Sequence, residues 1–531
     1  MKTILLGALL ASVSLLASPV AAKGYDPTEK SIATLKADLA SGKITSVELV
    51  KAYEARIARL NPKLHAVIAV NPDALKIAAA SDAARKAHKP LGPLAGIPVI
   101  IKDNIESADP MPTTAGSLAL AHNFTHRDAP LTAGLRAAGA IILAKANLSE
   151  WANIRSSRSI SGWSGVGGQT RNPYALDRNT CGSSSGSGAA GAASLAAATV
   201  GTETDGSVTC PAAINGLVGL KPTVGMVSRT HVVPISHSQD TAGPMTRSVA
   251  DAAALMNAIS GSDPADPATA LADSKKSDFL AGLKPDALKG VRIGVLRFAS
   301  DFHPGTARVF DTALAGLQAA GAVLVDIKEP PPSHDLSMEH SILMTELKAD
   351  LNAYLATTSP EQVPSRTLAD LIAFDRAHAA QEMPWFGQEQ FEVAEKTKGL
   401  NDPEYIKSEA DARRIAGPEG IDKLLADYKV SVLVAPTLAP SWLIDPVLKD
   451  RPVSGGVGQA PAVAGYPHLT VPMGQVDGLP VGLSFVGTAW SDAQLLAYGY
   501  AFEQATHARR PPKYLPSVVA TPLPPPDSRG Q

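Results

Sequence analysis

The chain predicts one α/β domain, and three observations carry that reading. Hydrophobic residues make up 45% of the 531 positions and charged residues 18%, enough apolar material for a large core. Helix and strand signals alternate: Ala133 to Ala138 reads as a helix feeding a strand at Ile141 to Ala144. Later, Val291 to Phe298 reads as a strand, followed by a helix through Ala320 and a strand from Ala322 to Ile327. That is a βα unit returning to the same sheet. Residues 262–289 carry Pro, Asp, Ser and Lys without periodicity and read as a surface connection, so nothing marks off a second domain.

The first 22 residues stand apart from that domain. Lys2 precedes an uncharged run of 13 residues, Ile4 to Leu16, which closes on the small residues Val20-Ala21-Ala22. A spanning helix needs about 20 apolar residues. The expectation is therefore a cleaved secretory signal and export, in a bacterial setting to the periplasm. Over the whole chain 48 Lys and Arg balance 50 Asp and Glu, which leaves no electrostatic footprint for nucleic acid or an anionic membrane and suits a small soluble substrate. The two cysteines, Cys181 and Cys210, permit one bridge at most. Two small buried thiols lining tight loops is the favoured reading of them.

Thr45-Ser46-Val47-Glu48 has the form of a capping box, and Val47, Val50, Tyr53, Ile57 and Leu60 follow at helical spacing. His65 to Val70 reads as a strand and Pro72 to His88 as a helix. Then comes Gly96-Ile97-Pro98-Val99-Ile100-Ile101-Lys102-Asp103-Asn104-Ile105. A lysine ending an aliphatic strand is costly to desolvate. Either its head snorkels to solvent or pairs with Asp103, or Lys102 is a proton acceptor whose pKa is lowered by roughly 3 units. Strand alternation turns Asp103 to the opposite face.

Asn147 to Ala152 and the glycine-rich Ser161 to Gln169 follow. The run Gly165-Val166-Gly167-Gly168 lacks the Gly-Lys-Ser/Thr ending of a phosphate loop and reads as an ordered loop. The stretch that organises the chain comes next: Cys181-Gly182-Ser183-Ser184-Ser185-Gly186-Ser187, then Gly201-Thr202-Glu203-Thr204-Asp205-Gly206-Ser207-Val208-Thr209-Cys210-Pro211. Ala-rich residues from Ser187 to Ala197 predict a helix between two serine loops. Their glycines let backbone N–H groups approach a ligand, as an oxyanion site requires.

These three motifs, in this order and with Ser183 and Ser207 24 residues apart, resemble the amidase signature family. The similarity continues through Gly216 to Thr223, Asp240 to Met245, and Ala464 to Gly487, nearly the whole mature chain. The resemblance implies a mixed, twisted β-sheet covered by α-helices and an amide hydrolase using a Ser–cis-Ser–Lys triad. Ser207 would be the nucleophile, Ser183 the serine on a cis peptide bond, and Lys102 the base. The N–H groups of Thr204, Asp205, Gly206 and Ser207 would form the oxyanion hole. No metal or organic cofactor is implied, and the 12 histidines offer no His-Glu-x-x-His arrangement.

Three departures from the common pattern refine the resemblance: Glu203 where Asp is usual, Asp205 where Gly is usual, and Cys181 where Gly is usual. Together with Ser159 to Ser164 and Gly168 to Tyr174, they look like the bacterial peptide amidase branch, which removes C-terminal amides from peptides. Asp205 is open to two readings, a substrate contact or a loop residue bonding its own backbone. The alternatives to peptide deamidation are a preference for small aliphatic or aryl amides, ammonia supply for misacylated tRNA, and, outside catalysis, a secreted binding protein on an inactive scaffold. Export and neutral charge argue against the tRNA role, and an intact triad argues against the last.

The amidase domain is expected over 23–510. Residues 337–400 read as a helical insertion, with Leu343, Leu347, Leu351 and Leu355 at four-residue spacing and Pro384-Trp385-Phe386 interrupting it. Trp385, Phe386 and Phe391 either wall a peptide groove or pack the insertion onto the core, at least one of them packing. Val430 to Ala435 reads as a short buried strand. Leu469 to Met473 and Val481 to Val486 read as a strand pair about Asp477-Gly478. The Pro-rich 511–531 reads as a disordered tail.

Overall fold

The computed structural model describes residues 24–520, so the signal expected at 1–22 and residues 521–531 of the tail lie outside the described residues. Thirteen strands form in chain order: β1 Val67–Val70, β2 Pro98–Lys102, β3 Ile141–Ala146, β4 Trp163–Ser164, β5 Gly168–Gln169, β6 Ala198–Glu203, β7 Val218–Lys221, β8 Thr241–Thr246, β9 Arg292–Leu296, β10 Val323–Ile327, β11 Val432–Pro436, β12 His468–Val476 and β13 Leu479–Val486. Eleven of them make one sheet, ordered β1-β3-β2-β6-β8-β7-β12-β13-β11-β9-β10, and β4 and β5 make a separate ribbon. The sheet is mixed: β2 runs parallel to β3 and β6, and β9 parallel to β10 and β11, while β8, β7, β12 and β13 pair antiparallel through the middle. Every residue of β2, β3, β6 and β13 is buried. Helices therefore cover both faces, which is why these strands read as continuous apolar runs.

Local chemistry sets the element ends. Thr45 accepts from the Glu48 N–H at 3.1 Å and Glu48 accepts from the Thr45 N–H at 2.9 Å, closing the capping box of helix Ser46–Leu64. That helix stops at His65, whose φ of 50° is left-handed, so the following strand begins at Val67 rather than at His65. The helix expected over Ser187 to Ala197 runs instead over Ser185–Ala192, because Ser194 takes a φ of 52° and ends it. Its eight residues are all buried. At Gly186 a Cβ would lie 2.4 Å from the carbonyl oxygens of Ala66 and Asn147, so only glycine lets the helix sit this close to the strands.

The segment expected to be a helical insertion forms helices Glu339–Ala356, Leu368–Ala377, Ala379–Glu382 and Glu389–Glu395, which pack around an apolar cluster that includes Leu347, Leu351, Leu371 and Phe391. Trp151 of the main body joins that cluster, its ring 5.8 Å from Phe391. Phe386 packs edge-on to Trp163 at 5.2 Å, so both phenylalanines are packing residues, while Trp385 is exposed.

The tail departs from expectation. The Leu176 N–H donates to the Leu515 carbonyl at 2.8 Å and the Tyr514 N–H to the Pro173 carbonyl at 2.9 Å, so residues up to Leu515 are docked despite their proline content. Arg509 forms an ion pair with Glu29 and donates to the Gly216 carbonyl at 2.9 Å. The beginning and end of the described chain are thus pinned together.

Candidate active site

Because β2 and β6 are parallel neighbours, their C-terminal ends open at the same edge, and the chemistry-bearing residues gather there. Lys102, the last residue of β2, is fully buried. Its Nζ lies 2.7 Å from Ser183 Oγ and donates to Thr202 Oγ1 at 2.8 Å and the Thr202 carbonyl at 3.3 Å. Burial lowers its pKa to about 7, against the opposing pull of Asp240 and Glu203. Asp103 faces the other way as alternation requires, accepting from Thr114 N at 3.0 Å, and burial pushes its carboxyl up to about 6.

Ser183 follows a cis Gly182–Ser183 peptide bond. The two serine loops are joined where the Ser184 N–H donates to the Ser207 carbonyl at 3.1 Å, and the Ser184 hydroxyl donates to the Thr202 carbonyl at 3.0 Å. Ser183 is sealed from solvent, whereas Ser207 is 7% exposed. The Ser207 hydroxyl has no protein partner among the described residues. Thus the structure brings Lys102 and Ser183 into direct contact and joins the Ser183 loop to that of Ser207 through backbone.

The loop from Thr204 to Ser207 is held from behind. Glu203 Oε2 accepts from the N–H groups of Val208 at 2.7 Å and Thr209 at 2.9 Å, fastening the start of helix Thr209–Ile214. Thr204 Oγ1 donates to Asp240 at 2.5 Å, and Gln239 Nε2 bridges the Thr204 carbonyl at 3.3 Å and Glu339 at 2.8 Å. Gly206 has a φ of 73°, a conformation glycine adopts without cost. No protein acceptor among the described residues takes the N–H groups of Asp205, Gly206 or Ser207, which leaves them available to a ligand. The Asp205 side chain does not bond its own backbone. It is exposed at the surface, and lost hydration, with Glu339 and Glu203 close by, raises its carboxyl well above the usual range.

Cys181 and Cys210 are joined in a disulfide with Cα atoms 6.1 Å apart, which corrects the expectation of two buried thiols. A separation of 29 residues gives no hint that the loops meet; the fold supplies that by folding helix Ser185–Ala192 and β6 back on one another. The bridge lines a cleft of about 330 Å³ together with Gly206, Trp442, Asp450 and His468. Asp450 organises one wall, accepting from Trp442 Nε1 at 3.0 Å and Ser161 N at 2.9 Å. On the far side, burial lowers Lys221 to about 8 and His468 to about 3.

The sequence motifs do not single out Thr202, Glu203 as a cap, or Asp240 as the anchor of Thr204. The only available signal is their position inside otherwise apolar strands or at strand ends. One group among the described residues, His237, Glu346 and Asp350, places imidazole and carboxylate atoms within 4.8 Å of one another. These groups are already engaged: His237 Nδ1 lies 2.9 Å from Asp350 Oδ2, and Tyr405 donates to Glu346 at 2.8 Å.

The amidase family profile matches residues 48–496. The chain belongs to the amidase family. A probable amidase of Arabidopsis thaliana is 38% identical over 523 residues, covering 96% of this chain and 97% of its own length. The crystal structure of native peptide amidase from Stenotrophomonas maltophilia superposes with a TM-score of 0.87 at 53% identity, covering 92% of this amidase and 99% of that chain. One component of the glutamyl-tRNA(Gln) amidotransferase of Synechococcus is 35% identical over 502 residues, covering 92% of this chain and 94% of its own length. This amidase is therefore an amide hydrolase of the signature class, with the large mixed sheet and helical cover of that fold.

Proposed function

We propose that this amidase removes the C-terminal amide of peptides as ammonia, through an acyl-enzyme on Ser207. The observation that carries the reading is the buried 2.7 Å contact between Lys102 and Ser183, on a loop bonded directly to the Ser207 backbone. A neutral amine has two N–H donors and one lone pair. Two donors to Thr202 and one lone pair accepting the Ser183 O–H match the three contacts of Lys102. A pKa of about 7 makes that neutral form accessible near neutral pH.

In this reading, Ser207 Oγ attacks the amide carbon while its proton passes to Ser183, whose own proton goes to Lys102. The oxyanion is met by the N–H groups of Thr204, Asp205, Gly206 and Ser207, which need no reorganisation as charge develops. Collapse expels the amine with a proton returned through Ser183, and water then cleaves the ester by the same route. The products are a peptide acid and ammonia. Likeness to a solved peptide amidase at 53% identity supports the choice of substrate, and an exported enzyme, with residues 1–22 removed, would meet free peptides.

The test is ammonia release from an N-blocked dipeptide amide, a simple aliphatic amide and glutamine, using the wild type and Ser207→Ala. Release from the peptide amide with internal bonds intact, lost in the variant, supports the reading. Preference for the simple amide or for glutamine moves the substrate class, and silence on all three returns the binding-protein alternative. Amino-terminal sequencing of the exported protein checks the cleavage after Ala22.

A further inference from the structure

The bridge between Cys181 and Cys210 occupies an unusual place. Cys181 stands two residues before Ser183, and Cys210 three residues after Ser207. One backbone hydrogen bond, Ser184 N–H to the Ser207 carbonyl, joins the same two loops directly. Both cysteines are further tied into their own loops. The Cys181 N–H donates to Asn179 Oδ1 at 2.7 Å and its carbonyl accepts from Ser185 Oγ at 2.7 Å, while the Cys210 N–H donates to the Gly206 carbonyl at 2.8 Å. A displacement of either sulfur is therefore transmitted to the loop that carries the serine.

We propose that the Cys181–Cys210 disulfide is a positioning element for amide hydrolysis, holding the Ser183 loop in register with the Ser207 loop, and that its reduction from the cleft turns the enzyme down. The inference rests on the proposed roles of Lys102, Ser183 and Ser207. The bridge lines the cleft and Cys210 is partly exposed, so a small dithiol reaches it without unfolding the chain. A thiolate attacks one sulfur to form a mixed disulfide, and the second thiol displaces the other cysteine. Two electrons and two protons pass to the protein, giving two cysteine thiols and a cyclic disulfide. Without the bridge the loops keep the Ser184–Ser207 bond but lose their covalent register. Proton transfer through two hydroxyls is steeply sensitive to such a shift.

The experiment treats the folded, full-length enzyme with dithiothreitol, counts thiols, and measures ammonia release from an N-blocked dipeptide amide across pH. The expected result is two thiols per chain, unchanged far-UV circular dichroism, and kcat reduced on the order of tenfold to a hundredfold. KM should stay within about twofold. The acid limb of the pH profile should move upward as water reaches Lys102. Reoxidation restores the rate, and the double variant Cys181→Ser/Cys210→Ser has the low kcat from the start and ignores the reductant. Should the variant not fold, reversible reduction of the wild type still decides. A reduced enzyme with two thiols and an unchanged kcat overturns the proposal, as does unfolding on reduction, which would make the bridge a staple of the fold. Inactivity of the oxidised enzyme toward every amide would instead defeat the proposed function.

Discussion

Lys102 and Asp103 are neighbours in the chain and face opposite sides of β2, Lys102 turning to Ser183 and Thr202 and Asp103 to Thr114. Their separation spares Lys102 an adjacent carboxylate that would hold its proton. With a pKa of about 7, lowered from 10.5, Lys102 is protonated below that pH and unable to accept from Ser183. The value of kcat/KM should therefore rise with pH and level off above about 7, falling tenfold per unit on the acid side. A profile flat from pH 5 to 9 would remove Lys102 from the base role.

Replacing Lys102, the proposed base, tests the same contact chemically. Lys102→Met keeps the apolar stem and removes the amine, and kcat should drop by roughly 10²- to 10⁴-fold while thermal unfolding stays cooperative. Ser207→Ala should abolish the acyl-enzyme, visible as loss of the covalent adduct by mass spectrometry after trapping with an acylating inhibitor.

Asp205 carries an exposed carboxyl with no protein hydrogen bond among the described residues, beside the N–H groups next to Ser207. Because this carboxyl is raised well above the usual range, Asp205→Asn should shift preference among peptide amides by charge once the pH is high enough to ionise the wild-type group. Relative kcat/KM for an acidic over a basic penultimate residue should increase about fivefold, the equivalent of about 1 kcal/mol. Equal ratios in wild type and variant would return Asp205 to a purely local role.

Glu203 clamps the Ser207 loop through Val208 and Thr209. Glu203→Gln weakens two charge-assisted bonds, with an expected loss of about 1–3 kcal/mol in stability and a lower kcat. Denaturant unfolding and steady-state kinetics on the same preparation check both.

Phe391 is fully buried between the insertion and Trp151. Phe391→Ala should cost about 3–5 kcal/mol if the insertion unfolds together with the body. A separate early transition would show instead that the insertion melts alone.

How much of the fold and the site is legible in the sequence depends on whether the signal is local. Lys102 stands out because an ammonium at the end of an aliphatic strand contradicts its surroundings, and Ser183 and Ser207 because glycines and an Ala-rich helix frame them. Thr202 gives no such signal. Its role as the acceptor for Lys102 arises from the parallel pairing of β2 with β6, a relation between residues 100 positions apart. The Cys181–Cys210 bridge is hidden for the same reason. The tail misleads through composition: Pro-rich residues up to Leu515 dock because Pro173 and Leu176 present free backbone groups to them, which no local rule discloses. Glu203 is visible as an oddity, yet only the fold shows that the longer side chain reaches the start of the following helix.

The pairing of Glu29 with Arg509 closes the described polypeptide almost into a ring. Where the two ends already touch, a short Gly/Ser connector should join them without distortion, and the cut can be moved elsewhere, for instance into the exposed residues 273–278. Such a circular permutant would leave the serine loops far from any free end. For the same reason, an affinity tag placed at residue 510 displaces a strap, whereas one placed beyond Leu515 leaves the strap in place.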